Sequence, residues 1–106
     1  MHTCVTYRPR SAPPAEMLPM MLEGTKQWID RYGEKFDTLW WFHAGGGVGI
    51  LDVDDEAALM RMMAEHPFTP YSDVEIHACI DPRTGIDIYG QVMAERMAAM
   101  GAAQAP

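Results

Sequence analysis

Residues 39–42 read Leu-Trp-Trp-Phe, four large apolar side chains in a row. They sit in Asp37–His43, a segment with strand character. Successive side chains of a strand point to opposite faces. Whichever parity faces outward, the outer face therefore shows either Leu39 and Trp41 or Trp40 and Phe42. Such a strand has to be covered on both sides, and the rest of the chain decides what can cover it.

Before it, His2–Tyr7 is short and β-rich and reads as strand one. Pro9, Pro13 and Pro14 then impose a loop. The apolar residues Leu18, Met21, Leu22, Trp28, Ile29 and Tyr32 follow helical spacing, so helix one runs from about Ala15 to Tyr32. Pro19 is tolerated only near a first turn, which moves the expected start toward Leu18. Gly33 is a stop signal. After the strand of residues 37–43, Ala44–Gly47 is a turn and Val48–Val53 is strand three, so residues 37–53 form a hairpin. Asp54 or Asp55 can cap helix two, which runs to about Glu65 with Leu59, Met62 and Met63 on one face. Pro67–Tyr71 is a stiff loop, and Val74–Ile80 alternates as strand four. Residues 87–101 read as a third amphipathic helix through Ile88, Val92, Met93, Met97 and Met100, and residues 103–106 are expected to fray.

The result is one β-α-β-β-α-β domain over residues 1–106, with an extra C-terminal helix. Two helices can cover one face of a four-stranded antiparallel sheet. The other face, with its bulky strand-two residues, is expected to pack against a second copy of the chain as a homodimer or larger homo-oligomer. With 106 residues the chain has room for a single modest core, and oligomerisation helps at this size.

Charge narrows the partners. The net charge is −7, from 15 acidic residues against eight Lys and Arg, with no basic run. Nucleic acid and anionic membrane surfaces are therefore disfavoured. No apolar stretch approaches the ~20 residues of a membrane span, and no signal peptide is seen. Two Cys, at 4 and 79, make no disulfide framework, so a reduced cytoplasmic protein is expected.

Several residues can carry chemistry. His43 is expected to close strand two beside two Trp, where an apolar setting favours a neutral imidazole able to act as base or hydrogen-bond partner. His77 shares a strand face with Glu75 and Cys79, and Cys4 is expected on the neighbouring strand. The missing further ligands argue against a metal. Tyr71 and Tyr7 can donate to an oxyanion. Glu23 on helix one can move a proton if buried. Gly45–Gly49 is a hairpin turn and not a phosphate loop, because a strand follows it and no Lys-Ser/Thr does.

The segment His66-Pro67-Phe68-Thr69-Pro70-Tyr71-Ser72-Asp73-Val74-Glu75-Ile76 resembles the Leu-Pro-Leu-Phe-Pro-Tyr-Met-x-Ile-x-Val stretch of the muconolactone isomerase family. Leu51-Asp52-Val53 and Ala58-Leu59 are similar to that family's preceding strand and helix. The likeness is good over about residues 50–80. It implies a ferredoxin-like dimeric α+β barrel and cofactor-free isomerisation of a small acidic lactone. The family's Leu-Trp-Arg and Tyr-x-Asn-Tyr correspond here to Leu39-Trp40-Trp41 and Gly45–Gly49, and its Glu-Lys-Glu is reduced to Glu23. The Pro67–Tyr71 loop is carried over, and no catalytic residue is.

Taken together, the expected function is a cofactor-independent isomerase or cyclase acting by proton transfer on a small oxygenated, lactone-like or aromatic metabolite. His43, Tyr71, Glu23 and His77 are the catalytic candidates, and Trp40, Trp41, Tyr7 and Phe68 the substrate-binding ones. Two alternatives are a cofactor-free monooxygenase of the antibiotic-biosynthesis type acting on a polyphenol, and a non-catalytic small-molecule-binding module.

Overall fold

Alternation along the first strand sets the sheet. In the computed structural model, which describes residues 1–104, strand β1 spans His2–Pro9, with Thr3, Val5 and Tyr7 buried. Strands β2 (Phe36–Trp41), β3 (Gly47–Asp52) and β4 (Ser72–Ala78) complete a four-stranded sheet in the order β2-β3-β1-β4. Every pairing is antiparallel. Helices α1 (Leu18–Tyr32) and α2 (Glu56–Glu65) fall between strands, and α3 (Pro82–Gln104) follows β4. The expected β-α-β-β-α-β order and ferredoxin-like α+β class are what is observed. Residues 105 and 106, part of the end expected to fray, lie outside the described residues.

The core joins one face of the sheet to the two helices. Val5, Tyr7, Leu51, Trp28, Met62 and Met63 form its buried centre. On α1, Met21, Thr25 and Trp28 bury at helical spacing, and Pro19 occupies the first turn. The Trp28 indole N–H donates to the Met62 carbonyl oxygen at 2.9 Å and ties α1 to α2. The Asp55 carboxylate accepts from the N–H groups of Ala57 and Ala58 and caps α2.

Several boundaries differ from the sequence reading, β4 among them by ending at Ala78 and not Ile80, and four of the shifts have a visible reason. Strand β2 stops at Trp41 because a turn takes over: Gly45 N–H donates to the Phe42 carbonyl at 2.9 Å, and Phe42 N–H to the Gly46 carbonyl at 2.8 Å. His43 therefore rides in that turn instead of closing the strand. Gly45 and Gly46 have φ of 94° and 84°, and a Cβ on Gly46 would stand 2.1 Å from the Tyr7 carbonyl oxygen. Strand β1 continues to Pro9 and β4 begins at Ser72, because Arg8 and Pro9 pair with Asp73 and Ser72. Helix α3 begins at Pro82 instead of near residue 87. There the Asp81 carboxylate accepts from the Thr84 N–H and hydroxyl, and Pro82 fits the first helical position.

A register shift between Phe36 and Thr38 settles the parity of β2. Phe36, Leu39 and Trp41 stand opposite Leu51, Gly49 and Gly47 and share the helix face. Thr38 and Trp40 share the opposite face with Val48 and Ile50 of β3, Cys4 and Thr6 of β1, and Glu75 and His77 of β4. No helix among the described residues covers that face.

Helix α3 has the apolar residues expected of it, but they meet little of their own chain. All its residues up to Ala102 are exposed except half-buried Gly85. Its length of about 35 Å stretches the molecule to 71 Å against 28 and 26 Å on the other axes. No helix among the described residues is long and apolar enough to cross a membrane.

Candidate functional site

A cavity of about 690 Å³ opens between α1 and the helix face of the sheet. Its floor is Val5, Tyr7, Phe36, Leu39 and Trp41, and its α1 wall is Leu18, Leu22, Thr25, Trp28 and Ile29. The loop Pro9–Pro13 edges it, and Met63, His66, Phe68, Tyr71 and Ser72 close its inner end. Two local features create the room. Gly47 and Gly49 put no side chain on the floor, and a Cβ on Gly49 would meet Phe36 Cε1 at 2.5 Å. Gly24 on α1 lets Pro67 approach, with a virtual Cβ only 3.1 Å from Pro67 Cγ, and so seats the loop that carries Phe68 and Tyr71.

Five of the eight sequence candidates border this cavity: Tyr7, Trp41, Phe68 and Tyr71, and Trp40 from the edge strand, with its side chain on the opposite face of the sheet. The other three do not. Glu23 is exposed on α1, outside the Met21-Thr25-Trp28 stripe. His43 is exposed in the hairpin turn. His77 lies on the free face of the sheet, opposite Cys4, with its Nε2 3.1 Å from the Glu75 carboxylate. Cys79, placed with them by the sequence, lies beyond the end of β4 and donates weakly to the His77 carbonyl oxygen at 3.5 Å.

Tyr7 contributes its ring more than its hydroxyl. The hydroxyl lies 3.1 Å from Met63 Sδ and 3.3 Å from Thr69 Oγ1, whose one proton is shared between Tyr7 and the Met63 carbonyl at 2.6 Å. Burial pushes the Tyr7 phenol up from its ordinary value, with the Thr69 hydrogen bond opposing. Tyr71 is held through its backbone, whose carbonyl accepts from the N–H groups of Arg10 and Ser11 at 2.9 and 3.2 Å.

The polar residue that the sequence reading passed over is His66. It caps the C-terminal end of α2 and is buried. Its ring stacks on Tyr7 with centroids 4.4 Å apart, and meets the edge of Trp28 at 4.7 Å. Burial lowers its pKa to about 4, so the imidazole is neutral near pH 7. The signal was present: Leu59, Met62, Met63 and His66 continue one helical stripe.

The lining holds no Asp or Glu. Its single cation, Arg10, donates to the Pro70 carbonyl at 3.1 Å and stands 3.6 Å from the Asp73 carboxylate. The site is thus an aromatic, nearly charge-free cavity with one imidazole, His66, and two phenols, Tyr7 and Tyr71, in its lining. It suits an apolar ring compound oriented by few hydrogen bonds. Among the described residues, the group of three possible metal-ligand atoms is exposed His2, Asp37 and Asp52, and none of the three lines the cavity.

No family model and no curated protein sequence matches the chain. Among solved structures, the chain is similar to muconolactone isomerase, with a TM-score of 0.64 at 20% identity over 77% of this chain and 92% of that one. It is also similar to 5-chloro-2-hydroxyhydroquinone dehydrochlorinase (TftG) from Burkholderia phenoliruptrix AC1100, solved in complex with 2,5-dihydroxybenzoquinone. That likeness has a TM-score of 0.57 at 10% identity, over 79% of this chain and 98% of that one. At such identities the shared property is the fold: a four-stranded antiparallel α+β sheet of the muconolactone isomerase type.

Proposed function

We propose that the chain is a cofactor-free enzyme that converts a small oxygenated ring compound by proton transfer, in the manner of an isomerase or a related lyase. The observation that carries this reading is the cavity itself: a half-open aromatic pocket on a fold shared with two small-molecule-converting enzymes, muconolactone isomerase and the dehydrochlorinase. Phe68, Trp41 and the Tyr7 ring would hold the substrate, and Tyr71 would supply a hydroxyl for proton relay. Trp40 would contribute from the rim. Glu23, His43 and His77 stand outside the cavity of a single chain, so the proton-relay role passes from them to Tyr71, and His66 would hydrogen-bond the substrate without giving up its proton. The working unit would be a homodimer joined through the free sheet face.

The test is turnover. Purified protein is incubated with a panel of small lactones and hydroxyquinones while absorbance and dissolved oxygen are followed. Consumption of a substrate without oxygen uptake is expected, falling at least about tenfold in Tyr71→Phe. Oxygen consumed with substrate would replace the isomerase by a monooxygenase. Tight binding without turnover would replace the enzyme by a binding module.

A further inference from the structure

His66 is fixed in one tautomer by its own loop. The chain turns sharply after α2, and the Phe68 N–H donates to His66 Nδ1 at 3.1 Å. A neutral imidazole that accepts at Nδ1 carries its proton at Nε2. Among the described residues that Nε2 has no hydrogen-bond partner. Thr6 Oγ1 is the one side-chain polar atom among the described residues that is both sealed from solvent and unpartnered. His66 Nε2 is not sealed, then, and keeps contact with open space in a residue that lines the cavity. The stack on Tyr7 and the edge contact with Trp28 hold the ring plane.

Charge defines what such a donor can meet. The lining offers no carboxylate to stabilise an imidazolium and no free cation to hold an anionic ligand, because Arg10 is engaged by Asp73 and the Pro70 carbonyl. Burying an unpaired charge is costly, so an acidic ligand would be rejected. Burial also keeps His66 neutral, in line with its low pKa.

We propose that His66 is the polar anchor of the cavity, a neutral Nε2–H donor that binds the carbonyl oxygen of an uncharged, planar ring compound. This rests on reading the cavity as the functional site and names its ligand class: lactones, quinones or enones without a carboxylate. A neutral imidazole placed this way polarises the carbonyl and favours charge development on its oxygen, with no proton leaving the ring. The class differs from the small acidic lactone that the sequence resemblance implies.

Two measurements on the full chain test this without any need for turnover. The first is imidazole ¹⁵N NMR of the wild type. It is expected to show His66 with Nδ1 bare and Nε2 protonated at pH 7, and its Nε2–H signal moving when coumarin is added. The second is binding, followed by tryptophan fluorescence with coumarin and with coumarin-3-carboxylate. Coumarin is expected to bind at least about tenfold more tightly than its carboxylate. His66→Phe should weaken coumarin binding about tenfold while keeping the aromatic stack, and His66→Gln, which keeps an N–H donor, should recover most of the loss. An Nδ1–H tautomer, an imidazolium at pH 7, equal binding by His66→Phe, tighter binding of the carboxylate, or no coumarin binding by the wild type would each overturn the proposal. Coumarin binding with no turnover on any substrate would instead sink the enzymatic reading and leave the anchor standing.

Discussion

His66 links the site to the acid stability of the fold. Its ring is packed by Tyr7 from β1, Trp28 from α1 and Phe68 from the loop, and of these only Tyr7 titrates, at alkaline pH. The imidazole takes a proton at about 4 in the folded chain, against 6.5 when solvated. Between these values the unfolded chain binds the proton and the folded chain does not. The contribution to stability is therefore complete above pH 6.5 and is lost as pH falls toward 4. A shift of that size corresponds to at most about 3 kcal/mol. Glu65 also titrates with acid, since the Tyr32 hydroxyl donates to it and lowers its pKa, but its contribution is lost only at and below the ordinary carboxylate range. Because His2 and His77 also face carboxylates, it is the comparison of the wild type with His66→Phe in urea unfolding between pH 6.5 and 5 that isolates His66. Stability should fall more steeply with acid across that window in the wild type than in His66→Phe; the same slope in both proteins would contradict the assignment. His66 escaped the sequence reading because a histidine beside Pro67 looks like the start of a loop. Only the stripe Leu59-Met62-Met63-His66 marks it as core. Tyr7, Phe68, Tyr71 and the two tryptophans were legible because strand alternation and a stiff loop restrict where such side chains can go.

At the scale of elements, caps and bulges decided what the apolar pattern could not. Asp54 and Asp55 were equivalent candidates to begin α2, and the structure selects Asp55, whose carboxylate accepts from Ala57 at 2.9 Å and from Ala58 at 3.3 Å. Asp55→Ala is expected to lower stability by about 1 kcal/mol, read as a lower denaturant midpoint at unchanged m. Asp55→Asn, which can still accept these bonds, should cost only a few tenths. Because α2 places Met62, Met63 and His66 against β1 and α1, fraying of its first turn should leave ligand binding at the far end intact. A loss of coumarin binding in the folded Asp55→Ala protein would show that the cap matters beyond its own turn. Four strands and three helices were readable from periodicity, and their order sufficed for the fold. The parity of β2 was not, since the irregularity between Phe36 and Thr38 moves Leu39 and Trp41 to the helix face and Trp40 to the free one. The early start of α3 was also hidden, because Asp81-Pro82 serves a turn and a helix N-terminus equally well.

The whole molecule leaves too much apolar surface in water for a chain of this size. Among the described residues the buried large apolar side chains are Val5, Tyr7, Met21, Trp28, Leu51, Met62 and Met63. Against them stand Trp40 at 68% exposure and Ile50 at 37% on the free sheet face, and Ile86, Tyr89 and Met97 at 70, 70 and 69% on α3. Trp40 and Ile50 share their face with Val48 and Cys4 next to Glu75 and His77, so one edge of the patch is polar and its centre is not. Two copies packed sheet to sheet would bury it, and an isologous contact brings each Trp40 against the same patch of its partner. Light scattering at micromolar concentration should then give a mass of at least twice 11.9 kDa. The Tm should rise with protein concentration, because association stabilises only the folded chain. Trp40→Asp puts a charge into that contact from the edge strand without touching the helix-side core. It should shift the protein toward 11.9 kDa and remove the concentration dependence of Tm while the far-ultraviolet spectrum is retained. A wild type that scatters as a monomer, with a Tm independent of concentration, would mean that the aromatic face of β2 meets water, and the homodimer would have to be abandoned.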